Sequence, residues 1–250
     1  MIKFFRRIRQ GLLSKNKFSK YLLYAIGEII LVVIGILIAL QINNWNEKRK
    51  NDNIKQSYIT NLKIDLINDI KNLEALDSLN TFYETEGSYL DKYLNGKLHQ
   101  IDTVRLTNAI VIVAYIPNMT IISSTYNDLI NSNNIVLFND VELKKLLDNY
   151  YIPNEWVRLF NDKILNTAWD KYKSEMLEYH SPELYKDYYL GEHVSLEAYK
   201  PVYDIKWGEM KNNEFLKTQV GMLGAYRIII REKFETKKTQ AKELMTNLKN

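Results

Sequence analysis

From Tyr21 to Ile42 the chain reads YLLYAIGEIILVVIGILIALQI, and this run constrains the fold more than any other stretch. It holds one charged residue, Glu28, and one other strongly polar one, Gln41. About 20 apolar residues suffice for a helix to cross the hydrocarbon core of a bilayer, so the run predicts one transmembrane helix. A cleaved signal peptide is the rival reading. Its apolar region would be only about 7–15 residues long and would end in a small-residue cleavage site. The exit here, ALQINNWNE, offers no such site.

Charge orients the run. Lys3, Arg6, Arg7, Arg9, Lys15, Lys17 and Lys20 give the first twenty residues seven cations and no acid. Less Glu28 that is +6 for the first 42 residues, and the whole chain carries +4, so the remainder carries −2. The excess of cations before the run predicts a cytoplasmic N-terminus and an extracytoplasmic C-terminal part. In a double-membrane bacterium that part is periplasmic and the run lies in the inner membrane. Ile2, Phe5 and Leu12 recur among the cations at helical spacing. That suits either an interfacial helix on anionic lipid or a plain positive flank. The nearly neutral remainder argues against a nucleic-acid partner, whose phosphates demand clustered Lys and Arg.

Within the run, Glu28, Val32, Gly35 and Ala39 fall on one helical face. Gly35 and Ala39 form a small-xxx-small pair that permits close helix approach. A carboxyl group inside a membrane is costly unless protonated, paired or facing a partner. The face therefore predicts a helix–helix contact with a protein partner or a second copy. The alternatives are an ion step, or a Glu28 near enough to the interface to reach headgroups. Tyr21, Tyr24 and Trp45 stand at the two ends as interfacial anchors.

The stretch FSKYLLYAIGEIILVVIGILIALQINNWNE resembles the opening of a family of uncharacterised single-pass membrane proteins of Gram-negative bacteria, a domain of unknown function. STYNDLINSNNIVLFNDVELKKLLDNYY resembles a second block of that family. The resemblance implies a membrane protein with a helical extracytoplasmic domain. It implies no activity, substrate, cofactor or catalytic residue.

Read from its own residues, the part after the run is also helical. Nine Gly and four Pro in 250 residues supply too few turns for a sandwich or barrel. From Asn43 to about Leu94, Ile54, Tyr58/Ile59, Leu62, Leu66, Ile70, Leu73, Leu76 and Leu79 repeat every three or four residues. This predicts one long helix, possible as a coiled-coil strand and preferred as one side of a bundle. Asn95-Gly96 ends it. Thr103 to Ile116 is β-branched but has no strand to pair with, and is read as a buried helix closed by Pro117-Asn118. Caps place further helices after Ser124 or Thr125, after Asn139 or Asp140, and after Asn154. The helix from Asn154 to about Tyr179 shows a stripe of Trp156/Val157, Phe160, Ile164, Ala168, Tyr172 and Met176. Ser181-Pro182-Glu183 starts another helix. The last helix runs from about Asn213, with Phe215/Leu216, Val220, Leu223, Arg227, Ile230 and Phe234 inward and Gly221 and Gly224 allowing close packing.

The expected architecture is all-α: a transmembrane helix leading into an antiparallel bundle whose long first and last helices form a stalk. Shorter helices from about 100 to 210 form a head far from the membrane.

Chemistry is sparse. Without cysteine there are no disulfides, thiolate metal sites or thiol catalysis. His99, His180 and His193 lack zinc spacing. No phosphate-binding glycine loop or nucleophile elbow occurs. Asp65 and Asp69, at i and i+4, are read as a solvated face rather than a metal or proton site. Tyr150, Tyr151, Tyr185, Tyr188, Tyr189, Tyr199 and Tyr203 are read as core and rim rather than a ligand groove. No catalytic, metal or cofactor residues are assigned. The functional expectation is a membrane-anchored interaction or scaffold protein. The alternative is an extracytoplasmic sensor that needs a partner to signal, with an enzyme third.

Overall fold

A computed structural model describes residues 18–152, 159–189 and 203–248. Among them the chain is all-helical, with eight α-helices and no strand. It divides into two units, residues 1–57 and 58–250, taken separately below. Helix α1, Phe18–Leu94, runs through 77 residues and contributes to both. The others are α2 (Thr103–Ile112), α3 (Ser124–Asn131), α4 (Val141–Tyr151), α5 (Asn166–Met176), α6 (Glu183–Tyr189), α7 (Trp207–Met210) and α8 (Glu214–Asn247).

In the second unit α8 lies antiparallel to α1, and the core follows the pair in three clusters. Ile59, Leu62 and Leu66 meet Ala241, Leu244 and Leu248 at one end. Leu73 meets Ile230 and Phe234 in the middle. Leu90 and Leu94 join Leu216, Val220 and Leu223 at the other end. Each fully buried Leu contributes about 1.5–3 kcal/mol, so this periodic seam specifies the pairing. Arg231 pairs with Glu84 and Asp77 across it, and Lys238 with Asp77.

The short helices do not gather into one head. Helices α3 and α4 cover the seam at Ile59–Leu66, through Tyr126, Leu129, Leu143, Leu147 and Tyr150. Helices α2, α5, α6 and α7 cover the end at Leu90. The reason is physical: an exposed seam at either end would leave whole rows of Leu in water.

Termini follow residue chemistry. Helix α1 ends in a Schellman motif. Lys97 N–H donates to the Lys92 carbonyl (2.8 Å), Gly96 N–H donates to Tyr93 (3.0 Å), and Gly96 has φ +67°. Asp102, Asp140 and Asn213 cap α2, α4 and α8, accepting from Arg105, Leu143 and Leu216 N–H. The cap of α3 is Ser123, one residue before the expected Ser124, and its side chain makes no cap bond. Ser181 Oγ accepts from Glu183 N–H at the start of α6.

Helix α2 stops at Ile112, four residues short of the sequence expectation. Leu106, Thr107 and Ala109–Ile112 are all buried, which decides helix over strand. Phe215 is exposed while Leu216 is buried. Nothing lies within 4 Å of a Cβ built at Gly221 or Gly224, so neither serves close packing. Among the described glycines, the position that does is Gly87, where a Cβ would meet Val113 Cγ2 at 2.9 Å. Asn154, Trp156 and Val157 lie outside the described residues. Ahead of α5, Phe160–Leu165 forms a π turn. Leu165 is inward (4% exposed) and Ile164 outward (40%), against the expected stripe, because at about 100° per residue Leu165 lies nearer the line of Ala168, Tyr172 and Met176 than Ile164 does.

Candidate functional site

The predicted contact face lies on α1 in the first unit. Glu28, Val32, Gly35 and Ala39 are helical, and their spacing keeps them within about 60° of one another around the axis. From Leu22 to Ile42 every described side chain is exposed except the half-buried Ala25 and Glu28. A Cβ at Gly35 or Gly27 would meet nothing within 4 Å. Trp45 is exposed, with the Arg49 guanidinium 5.5 Å from its ring centre. The side chains of Tyr21, Tyr24 and Lys20, and all of Lys3, Arg6, Arg7, Arg9, Lys15 and Lys17, lie outside the described residues.

The second unit carries buried polar centres that the sequence did not announce as such. Arg227, 1% exposed, reaches from α8 to the end of α2. Its Nη2 donates to the carbonyls of Val113 (2.6 Å) and Tyr115 (2.7 Å), and Nη1 donates to Asn80 Oδ1 (3.3 Å). Asn80, itself fully buried, donates back to the Arg227 carbonyl. The guanidinium also lies 5.2 Å from the Tyr83 ring centre. Burial pushes its pKa down to about 10, so it stays charged at neutral pH.

The carbonyl contacts have a sequence cause. In a continuing helix the Val113 carbonyl would accept from residue 117, and Pro117 has no N–H. Arg227 supplies the missing donor, with its cation at the negative helix end. Lys237 does the same for α4. Its Nζ donates to the carbonyls of Asn149 (3.3 Å) and Tyr150 (2.5 Å), and residue 153, four after Asn149, is again proline.

Asp69 corrects the solvated-face expectation: it is fully buried. Its carboxylate accepts from Ile122 N–H (3.0 Å) and the Tyr150 hydroxyl (2.9 Å). Burial raises its pKa, opposed by those two bonds. Asp65 beside it is half-buried, and no group of acids and histidines suited to a metal occurs among the described residues. Tyr150, Tyr151, Tyr172, Tyr185 and Tyr203 are buried core side chains, as expected. Tyr199 and the side chains of Tyr188 and Tyr189 lie outside the described residues.

Three clefts stand out. Two flank Arg105, whose guanidinium binds Glu86 through two nitrogens (2.8–3.1 Å) and lies 4.1 Å from the Tyr89 ring centre. Three of their acids are engaged structurally: Glu86 with Arg105, Asp102 as a cap, Glu84 with Arg231. The third, about 340 Å³, is lined by Ile116–Met119, Leu165, Asn166, Ile230, Phe234 and one charged residue, Lys233. Burial pushes the Lys233 pKa down to about 8.

Together these features define an all-helical protein with one helix long and apolar enough to cross a membrane, and a bundle fastened by buried polar contacts to backbone. Residues 28–180 match the model of a family of unknown function, DUF6090, and the chain belongs to that family. The match opens at Glu28 and stops before α8, so Arg227 and Lys237 lie beyond it. No curated protein and no solved structure matches the chain.

Proposed function

We propose that this is a single-pass membrane protein of a Gram-negative inner membrane, with its tail in the cytoplasm and its bundle in the periplasm. It acts as a scaffold through helix–helix contacts with a protein partner or a second copy. The observation that carries this reading is the belt from Leu22 to Ile42. Its apolar side chains are exposed all round, whereas a soluble protein rarely exposes so large an apolar patch. Lipid covers most of such a belt, and the Glu28–Val32–Gly35–Ala39 face is the side fitted to another helix. The cationic tail suits anionic headgroups, and the reading needs neither cofactor nor nucleic acid.

Tagged chain recovered in mild detergent should bring down a defined partner or a second copy of differently tagged chain. Gly35→Leu and Glu28→Gln should lose it while remaining in the membrane fraction after alkaline extraction. The same lone monomer from wild type and variants would refute the scaffold reading. Because the chain has no cysteine, single cysteines at Ser14 and Lys249 can report orientation with an impermeant maleimide. Labelling at Ser14→Cys in intact spheroplasts would overturn the topology. The cleft beside Lys233 favours a second reading, a sensor. A small ligand that raises the melting midpoint of the full chain would support it.

A further inference from the structure

The cleft of about 340 Å³ beside Lys233 separates apolar from polar lining in a way that packing alone does not require. Its floor is apolar: Pro117, Leu165, Ile230 and Phe234 line it and are all buried. Its rim is polar: Asn118 and Asn166 line it and are exposed. Neither amide side chain hydrogen-bonds to another described residue, so each keeps its donors for a ligand. One charge enters the described lining, the half-buried Lys233, and no acid does. Its ammonium lies 3.7 Å from the Phe160 ring centre. A ring face holds an ammonium in place without cancelling its charge. Burial pushes the Lys233 pKa down to about 8, so the amine is still mostly cationic at neutral pH, and an anion brought beside it would offset the cost of burying it. Small-molecule sites share this make-up, apolar walls with a few placed polar groups, and span about 300–1,000 Å³.

We propose that this cleft binds a small monocarboxylate with a hydrocarbon body, its carboxylate on Lys233 and the rim amides, its chain on the buried floor. The lining selects against other classes. A neutral hydrocarbon would make no use of the cation. A sugar would press hydroxyls onto the apolar Leu165, Ile230 and Phe234. A phosphate monoester brings about two negative charges to a single cation, and a lysine offers it a point charge rather than the two-pronged grip of an arginine. A carboxylate matches one cation and accepts hydrogen bonds on both oxygens. This ligand class rests on the second reading, a sensor whose cleft takes a small molecule, and narrows it to one chemistry.

The test is equilibrium dialysis of radiolabelled hexanoate against the full chain in lipid nanodiscs at neutral pH, with empty nanodiscs as the blank. Wild type should take up one saturable equivalent. Hexanamide has the same length without the charge. It should bind at least about tenfold more weakly, the loss expected when a charge-assisted hydrogen bond goes. Lys233→Met keeps most of the volume and removes the cation. It should weaken hexanoate at least about tenfold and leave hexanamide unchanged. Met119→Trp, from another lining position, should fill the cleft and abolish uptake of both, with thermal melting to show that each variant folds. Wild type that binds hexanamide as tightly as hexanoate would overturn the carboxylate assignment and leave the second reading standing. Uptake of neither probe would overturn the proposal. Uptake unchanged in both variants would place the site elsewhere and overturn it too.

Discussion

Replacing Arg227 with methionine should destabilise the bundle by about 2 kcal/mol, and the figure follows from opposing contributions. The substitution removes two short bonds to the Val113 and Tyr115 carbonyls, each worth about 1.5–3 kcal/mol when the donor is charged. It also removes the cost of burying that charge. A pKa pushed down to about 10 puts that cost at about 3 kcal/mol. Methionine keeps most of the volume, so little cavity is added. Arg227→Ala adds one and should cost about 4 kcal/mol. For a bundle of this size the midpoints should fall by about 5 °C and 10 °C. Thermal unfolding of the full chain in mild detergent measures both. A companion variant tests the cause: Pro117→Ala restores an N–H four residues after Val113, so it should recover part of the Arg227→Met loss. If Arg227→Met is as stable as the wild type, the carbonyl bonds do not outweigh desolvation, and the donor-replacement argument fails.

Gly87→Ala should cost about 1–3 kcal/mol, because its new methyl would meet Val113 Cγ2 at 2.9 Å. Adding Val113→Ala should return part of that loss, and additive losses in urea unfolding would sink the steric account. His180 is buried, and its imidazole pKa is lowered by that burial. The unfolded chain therefore takes up the proton first as pH falls. Stability contributed by the neutral ring is intact above about pH 6.5 and drops as the pH goes below it. Urea midpoints from pH 8 to pH 5 should show this drop in the wild type and lose much of it in His180→Gln. Identical profiles would refute the assignment.

The two long helices, their pairing and the inward stripe of α8 were legible in the sequence because they rest on periodic Leu and Ile over many turns. Even Arg227 fell on the predicted inward face, since position alone places it there. Its role was not legible. It depends on Pro117, which lies 110 residues away and reveals a missing donor only once α2 and α8 are adjacent. Asp69 failed for a related reason. A carboxylate between Asn68 and Ile70 looks solvated until Ile122 N–H and the Tyr150 hydroxyl are brought to it. The stripe at Ile164 failed locally, because a strict i+4 spacing carried back from Ala168 drifts off the buried line, and the three-residue step to Leu165 follows it more closely. Sequence reasoning also placed the short helices in one distal head. It could not weigh how much of the Ile59–Leu66 seam would stay in water. On the apolar face of α1, the spacing that put Glu28 beside Gly35 and Ala39 came directly from helical period.

The buried polar contacts bear on which function the bundle can perform. Arg227 and Lys237 lie ten residues apart on α8, about 15 Å along its axis. Each ends on backbone carbonyls of a different short helix. Asp69, from α1, holds Ile122 and Tyr150 on either side of α3. Hydrogen bonds weaken steeply with distance and angle. A slide of α8 along α1 by one residue, about 1.5 Å, would therefore strain both cationic contacts at once. The buried Val113 carbonyl left behind by Arg227 would not be made good by water. A piston-like signal along the long helices would have to break these contacts together, whereas a rigid platform uses them as they stand. The contacts are compatible with the proposed scaffold role.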